Sequence, residues 1–351
     1  MTQDPKAHIR RPRYRGTHPR KFREKYKELA PEQYPGMVAH LRERGQTPAG
    51  QHVPVLVNEV LEVLGIQPGE RGVDATLGWG GHAERFLERL TPDGQLLALD
   101  VDPIELPRAE ARLRRLGLGE DRLLVRRTNF AGLQASIDAA GWPDGADFVF
   151  ADLGVSSMQI DDPDRGFSFK DDGPLDMRMN PGRGLSAAQW LARTTPDRFA
   201  GALLANADEP HAREIADALL AQRDRLTTTR SLALAVRAIF RARLSDDAIG
   251  LVIRRVFQTL RIEVNDEFGA LEALLRQLPG SLRPGGRAAF LTFHSGEDRR
   301  VKKAFDEGWR AGLYAARSED VIRASPAEQR SNPRSKAAKL RWARGRDRIV
   351  R

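Results

Sequence analysis

The chain of 351 residues contains no cysteine. This absence excludes disulfide bonds, thiolate metal sites and cysteine nucleophiles, and it agrees with a reducing cytoplasm. No run of about 18 apolar residues occurs, so the sequence offers no transmembrane helix, and no signal-peptide hydrophobic region opens it. We therefore expect a cytoplasmic protein without a membrane partner. Its length suits one large domain with an insertion, or two domains.

The net charge of +9 is unevenly distributed. Residues 1–27 carry ten basic and two acidic side chains, and residues 330–351 carry nine and one, whereas 28–329 carries 38 and 45. A solvated tail is the commoner explanation of a single charge run. Two basic ends favour a polyanion, because each neutralised phosphate releases counterions. Tyr14 and Phe22 lie among arginines in the first arm, a composition suited to stacking on bases.

Short apolar strands alternate with helices between residues 53 and 152, which predicts parallel βαβ units. The predicted strands are 72–76, 95–100, 122–127 and 147–152, and the predicted helices are 81–90, 103–116 and 131–139. The alternation of strands and helices then stops at residues 160–180, a loop rich in Asp, Gly, Met and Pro. This loop is either ordered or disordered. Helices with Ala/Leu stripes follow at 186–250 and indicate a helical insertion. A helix at 265–278, a strand at 287–293 and an edge strand at 339–344 complete the α/β pattern.

A glycine-rich turn, Gly78-x-Gly80-x-x-Ala83, follows the first strand and opens a helix. Small residues let the backbone approach a ligand there, and the helix N-terminus offers unpaired N–H groups. Asp100 ends the next strand about 20 residues on, where an acid can accept from ribose hydroxyls. This motif suits NAD and S-adenosylmethionine about equally, and a turn that needs glycine for packing is the third interpretation.

Acidic side chains elsewhere favour S-adenosylmethionine. Asp74 lies near the turn, where its carboxylate suits the amino group of methionine and would repel a pyrophosphate. Asp152 ends the fourth strand, at the edge where open α/β sheets bind ligands. Asn129 and Phe130 follow the third strand and could flank an adenine, although a lone phenylalanine is more often a core residue.

Longer motifs are far more specific than the turn. They are Asp152-Leu-Gly-Val-Ser-Ser157, Gln159-x-Asp161-Asp162, Arg165-Gly-Phe-Ser-Phe169, Asp172-Gly-Pro-Leu-Asp-Met-Arg-Met179, His52-Val-Pro-Val-Leu56, Phe257-Gln-x-Leu-Arg-Ile262 with Val264-Asn265, Phe293-His-Ser-x-Glu-Asp-Arg299 and Asn332-Pro-Arg334. Together they cover roughly residues 52–342. They resemble the bacterial 16S rRNA cytosine-N4 methyltransferase family, RsmH, also called MraW.

The resemblance implies a Rossmann-like methyltransferase domain, at 51–160 and 252–351, interrupted by a loop and helical insertion domain at 161–251. A basic N-terminal arm, 1–50, precedes it. The implied methyl donor is S-adenosylmethionine, and the implied acceptor is a cytosine of 16S rRNA near the decoding centre of the small ribosomal subunit. No metal is implied. The implied cofactor contacts are Gly80, Gly81, His82, Asp100, Phe130, Asp152 and Gln159.

Several positions depart from the family pattern. Met158 stands where proline is usual, Gly296 replaces an expected leucine, the segment 206–213 matches poorly, and the arm is absent from the common form. A paralogue that methylates another RNA cytosine is therefore one alternative. A non-enzymatic RNA-binding assembly factor with a retained cofactor pocket is a second, although the glycines and Asp100 are intact. An NAD-linked oxidoreductase is a third, and it lacks a Tyr-x-x-x-Lys motif. The oligomeric state is left open, with a homodimer among the options.

The amino group of cytosine is a poor nucleophile because its lone pair is delocalised into the ring. Positioning should supply most of the rate, and no covalent intermediate is needed. We hypothesise that Asp152 is catalytic and orients the amino group beside the methyl donor. His294, with Ser295, is a second candidate for the base pocket, although a lone histidine at a strand end is more often structural. The target base must be flipped or already unstacked.

Overall fold

The computed structural model describes residues 54–91 and 93–347. Seven strands form one sheet: β1 Arg71–Asp74, β2 Gln95–Asp100, β3 Leu123–Arg127, β4 Ala146–Asp152, β5 Leu282–Thr292, β6 Tyr314–Arg317 and β7 Lys339–Gly345. Their order across the sheet is β3-β2-β1-β4-β5-β7-β6. The pairs among β1 to β5 are parallel, and β7 is antiparallel to both of its neighbours. The predicted α/β fold is confirmed.

Thirteen α-helices lie in the described part of the chain. They are α1 Val57–Leu64, α2 Gly81–Arg89, α3 Glu105–Arg114, α4 Leu133–Ala139, α5 Ser157–Asp161, α6 Ala187–Arg193, α7 Pro196–Ala207, α8 Ala212–Leu220, α9 Thr229–Phe240, α10 Asp246–Asn265, α11 Glu267–Ser281, α12 Ser295–Arg310 and α13 Pro326–Ser331. None of the helices in this part combines the length and apolar character needed to cross a membrane.

The central strands are almost entirely apolar because helices cover both faces of the sheet. Successive side chains of a strand point to opposite faces. Leu96 and Ala98 of β2 accordingly belong to the hydrophobic cluster on one face, whereas Leu97 and Leu99 belong to the cluster on the other. Burial on both faces holds the carboxyl ends of β1, β2 and β4 in a fixed arrangement.

A third hydrophobic cluster lies among the helices that follow β4. Trp190 of α6 packs edge-on against Phe199 of α7, with ring centroids 5.5 Å apart, and Leu232, Val236 and Phe240 supply the buried stripe of α9. This segment has an apolar core of its own. Its assignment as a separate domain at 161–251 stays a prediction, and α10 runs across the predicted C-terminal boundary.

Two predicted elements are wrong in detail. The predicted edge strand at 339–344 is β7, which is not at the edge of the sheet. It lies between β5 and β6, and β6, which follows α12 in the chain, is the outermost strand. The outer strand β6, at Tyr314–Arg317, was missed. The helix predicted to begin at 265 begins at Glu267, because Asp266 adopts a left-handed φ of 48° that ends α10.

The segment 160–180 is ordered, which decides between the two alternatives for this loop. Leu175 N donates to Thr227 O at 3.0 Å, and Met177 N donates to Arg165 O at 3.0 Å. These bonds tie the loop back onto itself and onto the helical segment. The basic arm, 1–50, lies outside the described residues.

Candidate active site

Three carboxylates lie at the carboxyl ends of adjacent strands. Asp74 ends β1, Asp100 ends β2 and Asp152 ends β4, and these strands are neighbours in the order β2-β1-β4. The strand order reverses direction at β1, and such a switch point is where open α/β sheets bind their ligands. The predicted positions of Asp100 and Asp152 at strand ends and of Asp74 near the turn are therefore correct, and the structure brings all three to one edge.

The glycine-rich turn is built around Asp100. Gly78 N donates to Asp100 Oδ2 at 2.8 Å, and Asp102 N donates to Asp100 Oδ1 at 2.9 Å. Burial nevertheless raises the pKa of this carboxyl, and the two N–H donors oppose that rise. Gly80 caps α2 with a φ of +83°, and a Cβ there would lie 3.0 Å from Leu113 Cδ1. Only glycine fits this left-handed, crowded position.

Arg112 of α3 binds the backbone of the same turn. No sequence pattern identified this residue. Its Nε donates to Trp79 O at 3.1 Å, and its Nη2 donates to Gly80 O at 2.8 Å. Its Nη1 pairs with Glu84 Oε2 at 2.6 Å. The side chain is 5% exposed. A charged residue among the other arginines of α3 gives no sequence signal that it is buried, because the burial comes from tertiary contacts.

His82 and Asp152 meet beside the turn. Nε2 of His82 lies 3.0 Å from Val55 O, and Nδ1 lies 3.6 Å from Asp152 Oδ2. Burial lowers the pKa of His82 to about 4, against the opposing bond to Val55. The ring is therefore neutral at pH 7, and a proton on Nε2 leaves the Nδ1 lone pair facing Asp152.

Asp152 favours its protonated form more than an exposed carboxyl does. Burial raises its pKa to about 8, the charges of Asp74 and Glu297 add to that rise, and Arg334 opposes it. Asp74 is 1% exposed, and burial raises its pKa to about 7. A pair of carboxyls that titrates near neutrality is typical of acid–base chemistry.

Two more predicted cofactor contacts, Gln159 and Phe130, lie in elements other than the glycine-rich turn and the three strand ends. Gln159 is buried in α5, where Oε1 accepts from Ser156 N at 2.9 Å and Nε2 donates to Asp102 Oδ2 at 2.7 Å. Phe130 opens a short 3₁₀ helix after β3 and packs in part against the core. Asn129 caps that turn, accepting from Ala131 N at 2.8 Å. Their contact with a cofactor stays a prediction, as does that of Gly81, the first residue of α2.

His294 caps α12 directly after β5. Its Nε2 lies 3.1 Å from Glu297 Oε1, while Glu297 Oε2 accepts from Phe293 N at 2.8 Å. Burial opposes ionisation of Glu297, but His294, Arg261 and the Phe293 N–H outweigh it and lower the pKa. Because Glu297 also acts on Asp152, His294 lies at the border of the site, and its catalytic role stays a prediction.

One group of side chains in the described residues could hold a cation. The ligand atoms of Glu267, His294 and Glu297 lie within 4.8 Å of one another. Arg261, however, donates to both oxygens of Glu267, at 2.8 and 2.9 Å. The guanidinium already occupies both oxygens of Glu267, so the group is an ion-pair network. We derive no metal site from it.

The arrangement fits S-adenosylmethionine. A Cβ at Gly78 would meet only Thr76 O, at 3.9 Å, so the turn is open to a ligand there. Asp100 lies where ribose hydroxyls are bound in α/β folds, and Asp74 is close enough to Asp152 to raise its pKa. These carboxylates suit a donor with hydroxyl and amino groups better than a pyrophosphate. The fold and the site thus define an S-adenosylmethionine-dependent methyltransferase.

The chain belongs to the MraW methylase family, whose family model matches residues 49–346. It is 48% identical to ribosomal RNA small subunit methyltransferase H 1 of Lachnoclostridium phytofermentans, covering 97% of this chain and 94% of that one. It is also 48% identical to ribosomal RNA small subunit methyltransferase H 2 of Alkaliphilus metalliredigens, covering 95% and 97%. The family resemblance and the cofactor predicted from the sequence are confirmed.

Among solved structures, the chain is similar to an S-adenosylmethionine-dependent O-methyltransferase of Thermotoga maritima. The identity is 12% and the TM-score is 0.39, with 90% of this chain and 74% of that chain covered. A likeness at this level carries no argument about the site.

Proposed function

We propose that this chain transfers a methyl group from S-adenosylmethionine to the N4 amino group of a cytosine in 16S rRNA. Two 48% identical relatives are named as small-subunit ribosomal RNA methyltransferases. The observation that carries the proposal is the placement of Asp152. Its carboxyl ends β4 beside the glycine turn, next to a neutral histidine nitrogen. The small ribosomal subunit, in the cytoplasm, is the proposed partner.

Asp152 has two tasks in this proposal. It accepts a hydrogen bond from an N–H of the amino group, which turns the nitrogen lone pair toward the methyl carbon. S-adenosylmethionine, when bound, would supply the methyl group and keep the electron pair of the broken C–S bond on sulfur, which would leave an extra proton on the amino nitrogen. The Asp152 carboxylate takes up that proton. A pKa near 8 suits a proton acceptor that works near neutral pH.

We propose RNA contacts on basic residues near the C-terminal strand. Arg330 and Lys336 are exposed, and Arg334 lies close enough to Asp152 to lower its pKa. By contrast, Lys339 and Arg341 pair with Asp298 at 3.0 and 2.6 Å. The basic C-terminal end, 330–351, is thus partly an internal ion-pair network. Arg330 and Lys336 are the exposed members that we propose for contact with phosphates.

The decisive experiment replaces Asp152 by asparagine, with Asp144→Asn at an exposed loop position as the matched control. We expect transfer of labelled methyl groups to small subunits to fall at least about 100-fold in Asp152→Asn, the usual scale for a lost acid–base group. Affinity for S-adenosylhomocysteine, measured by calorimetry, should fall much less than turnover, although Asp152 is also an expected cofactor contact. Base-resolved mapping of the product then identifies the methylated atom.

Other outcomes separate the alternatives. Full turnover by Asp152→Asn removes the assigned role. Methyl groups at another cytosine identify a paralogue with a shifted target. A wild-type chain that binds small subunits but transfers no methyl group is an assembly factor with a retained cofactor pocket.

A further inference from the structure

A buried ion pair joins the cofactor strand to the loop that leads into the helices. Asp102, two residues beyond the end of β2, is fully buried, and Arg165 is 5% exposed. Arg165 Nη1 lies 2.8 Å from Asp102 Oδ2. A buried pair of this kind tolerates little movement of either partner, because separation leaves a charge in a dry environment.

Both carboxylate oxygens of Asp102 have hydrogen-bond partners. Its Oδ1 accepts from Ile104 N at 2.8 Å and from Glu105 N at 3.2 Å. Its Oδ2 accepts from Gln159 Nε2 at 2.7 Å, in addition to Arg165. The backbone N–H of Asp102 in turn donates to Asp100. The carboxyl expected to bind ribose is thus one hydrogen bond away from Asp102.

The second terminal nitrogen of the Arg165 guanidinium contacts segment 176–179 of the loop. Its Nη2 donates to the carbonyl oxygens of Arg178 and Met179 at 3.2 and 2.9 Å. From the far side, Asn265 of α10 accepts from Met179 N at 2.7 Å and donates to Met177 O at 2.8 Å. Segment 176–179 is therefore held between Arg165 and α10.

The backbone of this segment is strained, which shows that its position is imposed. Met177 is fully buried and has a left-handed φ of +62°. A non-glycine residue keeps that conformation only where its surroundings fix it, and such strain often lies at functional sites. Here the fixing contacts of Met177 come from the backbone carbonyl of Arg165 on one side and the Asn265 side chain on the other, while the Arg165 guanidinium holds the next two carbonyls.

We propose that Arg165 is a positioning residue that transmits cofactor binding from Asp100 and Asp102 to segment 176–179, and so couples the cofactor site to the acceptor side. Cofactor binding at Asp100 restricts the turn from Asp100 to Asp102. Through its contacts with Asp102 and with the carbonyls of the segment, Arg165 then limits the movement of segment 176–179, which is hydrogen-bonded to α10. The coupling to the acceptor rests on the proposed function, whereas the ordering of the segment does not.

The first test uses the wild-type full chain and needs no acceptor. Amide hydrogen exchange is followed by mass spectrometry in peptides from 165–184, with and without saturating S-adenosylhomocysteine. We expect the amides of Met177 and Met179 to exchange at least about fivefold more slowly with the ligand. A peptide from α8, at Ala212–Leu220, serves as the internal reference. Unchanged exchange at Met177 and Met179 overturns the proposal.

The second test compares Arg165→Lys with Arg108→Lys. Lysine can still pair with Asp102 but cannot also hold two carbonyls, whereas Arg108 pairs with Glu105 at 2.8 Å in the same neighbourhood. Arg165→Lys should lose the ligand-induced protection while its affinity for S-adenosylhomocysteine stays within about threefold, and Arg108→Lys should keep both. If Arg165→Lys does not fold, Arg165→Gln, which removes the charge paired with Asp102 and the fork that holds both carbonyls, gives the same comparison. Protection retained in the folded variant refutes the role of Arg165.

The third test measures coupling to the acceptor. Dissociation constants for S-adenosylhomocysteine are compared with and without small ribosomal subunits, and coupled sites typically differ by about 5-fold or more. We expect that ratio in the wild type and a ratio near one in Arg165→Lys. If small subunits bind neither the wild type nor the variant, the proposed function is refuted. The hydrogen-exchange result then still shows whether the cofactor orders segment 176–179. Equal ratios in wild type and variant refute the coupling.

Discussion

Methyl transfer should depend steeply on pH around neutrality, because the group proposed to take up the proton has a displaced pKa. Burial raises the pKa of Asp152 to about 8 and that of Asp74 to about 7. The two carboxyls are neighbours, so they titrate as a pair with apparent values that belong to both. In the proposed mechanism, transfer requires the ionised form of Asp152.

The size of the effect follows from the fraction ionised. Two units below its pKa a carboxyl is only about 1% ionised, so kcat/KM at pH 6 should be about 50-fold lower than at pH 8. The logarithm of kcat/KM should rise with unit slope and level off above the apparent pKa. The assay is methyl transfer to small subunits from pH 6 to 9 at constant ionic strength.

Two variants should shift this profile in opposite directions. The charge of Asp74 raises the pKa of Asp152, whereas Arg334 lowers it. Asp74→Asn should therefore move the inflection to lower pH, and Arg334→Gln should move it to higher pH, each by about one unit, the lower end of the shift that a single nearby charge produces. A flat profile in the wild type, or shifts of the reverse sign, would refute the reasoning.

Three further outcomes test other parts of the molecule. Gly80→Ala should weaken S-adenosylhomocysteine binding about 10-fold or more in calorimetry, because a Cβ would lie 3.0 Å from Leu113. Gly69→Ala, at a φ of +81° with open space around it, isolates the backbone strain, and equal losses in both would contradict the crowding argument. His294→Ala should lower kcat with cofactor affinity unchanged, and normal turnover would make the residue structural. Deleting residues 1–45 should weaken RNA binding and flatten its salt dependence without changing cofactor affinity, and an unchanged slope would make the arm a solubility tail.

The sheet and its acidic edge could be predicted because local patterns encode them. The apolar runs of β2 and β4 are interrupted by Asp100 and Asp152 where each strand ends, and parallel strands bring those ends to one edge. The position of β7 could not be predicted in this way. It depends on pairing with β6, whose four residues, Tyr-Ala-Ala-Arg, carry too little apolar alternation to indicate a strand.

The contacts that hold the site together were also beyond the sequence. Arg112 and Arg165 are buried cations, and local patterns assign arginine to the surface by default. Their partners are distant in sequence: Arg112 binds carbonyls of the glycine turn, and Arg165 pairs with Asp102. Such burial is set by tertiary packing and leaves no local pattern in the sequence. His82 was predicted from the family resemblance as a cofactor neighbour, and the structure adds its contact with Asp152.

The interior position of β7 has a consequence for how the protein folds. β5 pairs with β4 and β7, yet the helices α5 to α11 separate β4 from β5 in the chain. Pairing of strands this far apart closes a long loop, and such non-local topologies fold slowly. A growing chain that ends before Lys339 exposes the unpaired edge of β5, an aggregation-prone surface. We expect ribosome-bound chains of that length to be resistant to proteolysis in the helical segment but not around Asp152.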